Sequence, residues 1–151
     1  MSYTRVSNLT YRTGRDFERY AVNGVGIGRG FSDYDEMRVG IVMSLVPRAV
    51  LVPYVAYRRQ GEGDYRQPFP VIASGSIPPG FLSGVVSRVT RVAISGASSG
   101  GSFVEVNGDV GVNHVTNFAH STGRRRTTVE GRVRASVELP ARWHWVEIEN
   151  P

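Results

Sequence analysis

The chain contains no lysine and no cysteine. The first absence excludes a phosphate-loop nucleotide site and Schiff-base or pyridoxal chemistry, since each depends on a lysine amine. The second excludes disulfides, thiol nucleophiles and zinc–thiolate sites, and suits a bacterial protein indifferent to redox compartment. No run of about 18 apolar residues is present, so no transmembrane helix is expected. The opening Met-Ser-Tyr-Thr-Arg has no apolar signal region. Helical periodicity free of glycine and proline is also missing from every stretch of ten or more residues, which points away from α-structure.

What is present is arginine, glycine and alternation. All eighteen basic residues are arginines, and the formal net charge is +5. They are spread along the chain, with a single run at Arg124, Arg125 and Arg126, so no nucleic-acid partner is expected. From Met37 every second residue is apolar through Val39, Ile41, Met43 and Leu45. The pattern returns at Val104, Val106, Gly108, Val110 and Val112, and again from Val129 to Leu139. Period-2 alternation makes each segment a strand with one oily and one polar face. The polar partners are Glu105, Asn107, Asp109, Glu130, Arg132, Arg134 and Glu138, the candidate lining of a polar lumen.

Strands are expected over about 2–11, 17–28, 35–46, 49–60, 82–96, 102–115, 127–139 and 142–149. The fold class is all-β: one domain over residues 1–151, an antiparallel up-and-down meander of about eight long strands. Connections 12–16, 46–48, 97–101 and 140–141 are short and would share one end; 29–34, 61–80 and 116–126 are longer and would share the other. Outer-membrane barrels sort their turns and loops in this way. The oily face carries Gly108, Gly131 and Ala135, thin filling for a packed core but adequate for a surface against lipid. A soluble barrel or sandwich around a small apolar ligand would show the same alternation with the faces exchanged, and a porin-type channel would share the lumen.

No catalytic, cofactor-binding or metal-binding residues are assigned. Residues 24–30 place Arg29 where a dinucleotide loop needs its third glycine, and residues 96–102 read as a flexible turn. His114, His120 and Asp109 are better read as polar strand-end residues than as metal ligands. Phe31, Tyr34, Tyr65 and Phe69 on the long-loop end, with Arg124, Arg125 and Arg126, are the candidate polysaccharide contacts. Sugar faces stack on rings, and guanidinium forks hold carboxylates or phosphates. Trp143 and Trp145, beside the expected turn at Pro140, suit a membrane-interface girdle.

Tyr3-Thr-Arg-Val-Ser-Asn8 with Thr10-Tyr11, then Tyr20, the glycines of 24–30, Asp33 and Asp35, and Arg58-Arg-Gln-Gly-Glu-Gly-Asp64 together resemble the capsule assembly Wzi family. The resemblance spans nearly all of this chain but only the C-terminal part of a family member. It implies part of a larger, non-enzymatic outer-membrane β-barrel, located in the bacterial outer membrane. It further implies contact with outer-membrane lipid, lipopolysaccharide and capsular or other surface polysaccharide. No family sugar-binding residue is carried onto a position here.

Overall fold

The computed structural model describes residues 1–10, 12, 21–22, 25–26, 31–67, 69, 80–99 and 104–137. Valine-rich alternation and the scarcity of helix formers produce strands throughout. These are β1 (Ser2–Val6), β2 (Ala21–Val22), β3 (Val25–Gly26), β4 (Tyr34–Gly40), β5 (Met43–Val46), β6 (Ala49–Gln60), β7 (Ser87–Ser99), β8 (Val104–Thr116) and β9 (Arg125–Val137). A 3-10 turn at Phe118–His120 lies between the last two. Every pairing is antiparallel, in the order β1-β4-β6-β7-β8-β9 with β5 also on β6; β2 and β3 form a separate hairpin. The all-β meander is therefore present. Among the described residues the sheet is open between β1 and β9.

Several boundaries differ from the sequence expectation for physical reasons. The first strand stops at Val6, because a turn follows in which Thr10 N–H donates to Ser7 O at 3.2 Å. The expected strand over 35–46 divides into β4 and β5, yet its register on β6 is unbroken from Gly40↔Tyr54 to Met43↔Leu51. Pro53 faces the gap. Ile41 N–H donates to Pro53 O at 3.1 Å, and proline has no N–H to return. β7 begins at Ser87 and continues through Gly96 to Ser99, so the segment read as a flexible turn is strand up to there. The expected strand at 142–149, Glu138, Trp143 and Trp145 lie outside the described residues.

The register sorts the side chains into two faces. One carries Val39, Val55, Val92, Val112 and Val129 in a single row, with Ile94, Val110 and Val133 beyond it. These side chains are exposed, Val129 to 73% and Val133 to 79%. The other carries Tyr54, Ala93 and Gly111, where Tyr54 is only 8% and Ala93 5% exposed. The sheet curls toward that second face. Small residues permit the curl: a Cβ on Gly111 would overlap the Cβ of Ala93 and come within 2.7 Å of Val92 O. Ordinary sheet burial is thus inverted, with oily residues on the convex side and polar ones in the hollow.

Candidate functional site

The hollow is a groove of about 680 Å³ that reaches from Glu36 on β4 to Arg132 on β9. Its floor is a hydrogen-bonded cluster contributed by three adjacent strands. Tyr54 Oη donates to Asp109 Oδ2 at 2.6 Å, and Arg91 Nε donates to Tyr54 Oη at 3.0 Å. Arg91 Nη1 donates to Asn113 Oδ1 at 2.9 Å, Nη2 donates to Asp109 Oδ1, and Glu130 Oε2 lies 3.8 Å from Nη1. The guanidinium of Arg38 stacks 3.6 Å above the Tyr54 ring. Arg91 is thus compensated in place. Arg58, Arg126 and Arg132 also line the groove, and none of them forms an ion pair among the described residues.

At the long-loop end the sheet is closed off by a cap organised around Asp33, whose side chain is wholly buried. Its carboxylate accepts from Gly63 N–H (3.0 Å), Leu82 N–H (2.8 Å), Ser83 N–H (2.9 Å) and Ser83 Oγ (2.6 Å). Gly61 N–H donates to Asp33 O at 2.8 Å. A Cβ at Gly61 would collide with the Asp33 carboxylate, and one at Gly63 would lie 2.7 Å from Asn8 Cβ. The glycines of the Arg58–Asp64 motif are there to let the chain close around that carboxylate. Beside it Val6, Tyr34 and Tyr65 form a small apolar core.

The second loop of this end, between β8 and β9, is pinned in a strained shape. Asn117, Ala119 and His120 all have φ near the left-handed region, at 54°, 53° and 55°. Asn117 Nδ2 donates to Val86 O at 2.9 Å, Gly123 N–H donates to Asn117 Oδ1 at 3.0 Å, and His120 Nδ1 lies 2.7 Å from Val85 O. Arg124 and Arg126 lie over the Phe118 ring at 5.2 and 4.9 Å. A cleft of about 290 Å³ opens beside the loop between Phe31, Glu62, Arg66 and His120.

The residues singled out from the sequence separate accordingly. Glu105, Asn107, Asp109, Glu130, Arg132 and Arg134 share one face, the face of Tyr54, with Asp109 opposite Arg132 and Asn107 opposite Arg134. Of the aromatics, Phe31 is exposed and Phe69 half-buried, while Tyr34 and Tyr65 are buried in the cap core. The arginine run is divided by strand alternation: Arg126 lines the groove, whereas Arg125 points to the convex side. His114 bonds Thr127 at 3.1 Å on the convex side, away from Asp109. The sequence carries no local sign of the Asp33 hub or of the bonds that join Tyr54, Arg91 and Asp109. Their partners are 18 to 55 residues apart in the chain, a separation that no local motif records.

On the convex rim, beyond the oily rows, Arg59 holds Asp35 through Nε (3.0 Å) and Nη2 (2.5 Å), and Tyr3 Oη donates to Asp35 at 3.3 Å. Comparison with protein-family models, with curated proteins and with solved structures gives no match for this chain.

Proposed function

We propose that this chain forms wall strands of a bacterial outer-membrane β-barrel, without enzymatic activity, that takes part in assembling or attaching capsular or other surface polysaccharide. The inverted burial carries the reading: exposed valines on the convex side, and the Tyr54–Arg91–Asp109 cluster in the hollow. Lipid requires of the outer face only that it be apolar, whereas a polar lumen favours charges that pair across strands. From Val104 to Val112 the oily face of β8 extends about 27 Å along the strand, enough, when tilted, for most of a membrane-barrel apolar band. A soluble barrel would need those valines on the concave side. The long-loop end then faces outward, with the Phe118 loop and its arginines as the polysaccharide contact.

The absence of native cysteine makes a direct test available, since each introduced thiol is unique. In phosphatidylcholine vesicles, Val110→Cys and Val133→Cys are expected to resist a water-soluble maleimide that labels a loop control, Thr122→Cys. Labelling of all three at the same rate would overturn the membrane reading. For the polysaccharide contact, an Arg124→Ala/Arg126→Ala variant should bind an anionic polysaccharide roughly tenfold or more weakly, given about 1.5–3 kcal/mol per hydrogen bond to a charged group. Unchanged binding in a retention assay would sink the loop assignment.

A further inference from the structure

The convex face does not end in oil. At the long-loop end the register aligns Arg5, Asp35, Arg59, Arg88, Thr116 and Arg125 in one row across the sheet. Immediately below lies a row containing Tyr3, Met37, Tyr57, Thr90, His114 and Thr127, and below that come the valines. Charge, then amphipathic rings and hydroxyls, then apolar side chains is the sequence of layers met on passing from lipid headgroups into acyl chains.

The row is short of negative charge. Four arginines stand against the single carboxylate of Asp35, which Arg59 already holds. Arg88 lies directly opposite Arg59 in the β6–β7 pairing, an arrangement of like charges that destabilises a sheet unless something compensates it. Neither Arg88 nor Arg125 forms an ion pair among the described residues, and both are exposed. Arg5 is held in place by stacking 3.9 Å over Phe81. Beneath the arginines a shallow apolar groove of about 550 Å³ runs among Val39, Ile41, Val55, Val92, Ile94 and Val110. It offers an acyl chain a seat below the row of rings and hydroxyls, one layer removed from the charges.

We infer that this row is a binding site for the phosphate headgroup of an anionic lipid, with the acyl chain lying in the groove below. The inference rests on the outer-membrane reading above and locates on it a lipid site separate from the Phe118 loop. Guanidinium forks match phosphate oxygens in pairs, and with strands about 4.8 Å apart Arg88 on β7 and Arg125 on β9 stand about 10 Å from each other across Thr116 of β8, a gap that two long arginine side chains can close on one headgroup. Arg88 and Arg125, which form no ion pair among the described residues, are the members that the ligand engages, while Arg59, tied to Asp35, sets the edge of the site.

The test uses the whole chain in a non-ionic maltoside micelle, titrated with bis-phosphorylated lipid A and with the same lipid dephosphorylated. The wild type is expected to prefer the phosphorylated form. Arg88→Gln/Arg125→Gln should lose about tenfold or more of that affinity, from roughly fivefold per arginine near an anionic surface. Arg132→Gln/Arg134→Gln, with the same change in charge on the concave face, should retain it. No preference for phosphate, or equal losses in the two double variants, would overturn the site. If Val133→Cys is shielded by phosphatidylcholine while the Arg88/Arg125 pair makes no difference, the headgroup site alone falls. If Val133→Cys is not shielded, the membrane reading and this site fall together.

Discussion

Asp33→Ala is expected to lower folding stability by about 3–5 kcal/mol, measured as a shift in the denaturation midpoint of the detergent-folded chain. The carboxylate is itself wholly buried and accepts four hydrogen bonds from three half-buried residues, Gly63, Leu82 and Ser83, on two separate segments of the cap. Each bond to a charged acceptor contributes about 1.5–3 kcal/mol, and an orphaned buried donor costs about 1–3, although such terms do not add fully. Backbone shape adds to the loss, because Asp33 has φ 58°, a conformation aspartate and asparagine tolerate better than alanine. Asp33→Asn should rescue only part of it. The amide keeps an acceptor oxygen and the local turn preference, but turns an N–H₂ toward backbone donors that need an acceptor. The damage should be local: protease cleavage is expected to rise first within residues 61–67 and 80–86, where the cap segments meet Asp33, before the strands β7 to β9 are attacked. A variant within about 0.5 kcal/mol of the wild type would show that the cap does not depend on this carboxylate.

The contrast between that hub and the strands shows which parts of the fold a sequence makes visible. Alternation is a local property. Val104 to Val112 reads as a two-faced strand whatever it packs against, and β6, β8 and β9 follow the expected segments closely. The sorting of connections is equally visible: a two-residue link joins Val46 to Ala49, whereas residues 61–86 separate β6 from β7. The direction of the curl is not local. It depends on Ala93 and Gly111 meeting across two strands, so the same alternation is compatible with an oily core or an oily exterior until that contact exists.

Side-chain roles in the loops were less visible, because they depend on where a strand begins and which residues the cap encloses. Tyr34 and Tyr65 have the composition of a sugar-stacking surface, yet both pack with Val6. Arg124, Arg125 and Arg126 look like one patch until β9 starts at Arg125; the alternation then sends Arg125 and Arg126 to opposite faces. The arginine row of the convex rim has no sequence signature at all. Its four arginines come from four different strands, and only the registers bring Arg5, Arg59, Arg88 and Arg125 into line. The Arg58–Asp64 motif lies between these cases. Its glycines are plain in the sequence, but their purpose becomes clear only when Asp33 arrives between them.

In the hollow, Asp109→Ala is expected to cost about 2–3 kcal/mol, less than removal of one partner from a fully buried ion pair, for which about 3–5 is usual. Arg91 and Asp109 side chains are 17% and 15% exposed, so neither charge is completely withdrawn from solvent. Truncation leaves the Arg91 guanidinium with Tyr54 Oη, Asn113 Oδ1 and the more distant Glu130, which soften the loss without replacing the carboxylate. Tyr54 loses its acceptor at the same time. Tyr54→Phe should cost no more than this, about 1.5–2 kcal/mol, since it removes the hydroxyl that bonds both Asp109 and Arg91 but leaves the ion pair intact. The decisive comparison is the double variant Arg91→Met/Asp109→Leu, which deletes both charges and keeps most of the volume. If the cluster contributes chiefly by keeping charge compensated, the double variant should be more stable than Asp109→Ala alone, with a coupling of at least about 1 kcal/mol in a double-mutant cycle of equilibrium unfolding. Additive losses would mean that Arg91 and Asp109 contribute separately, and that the floor of the groove is held by backbone pairing and small residues instead of by this network.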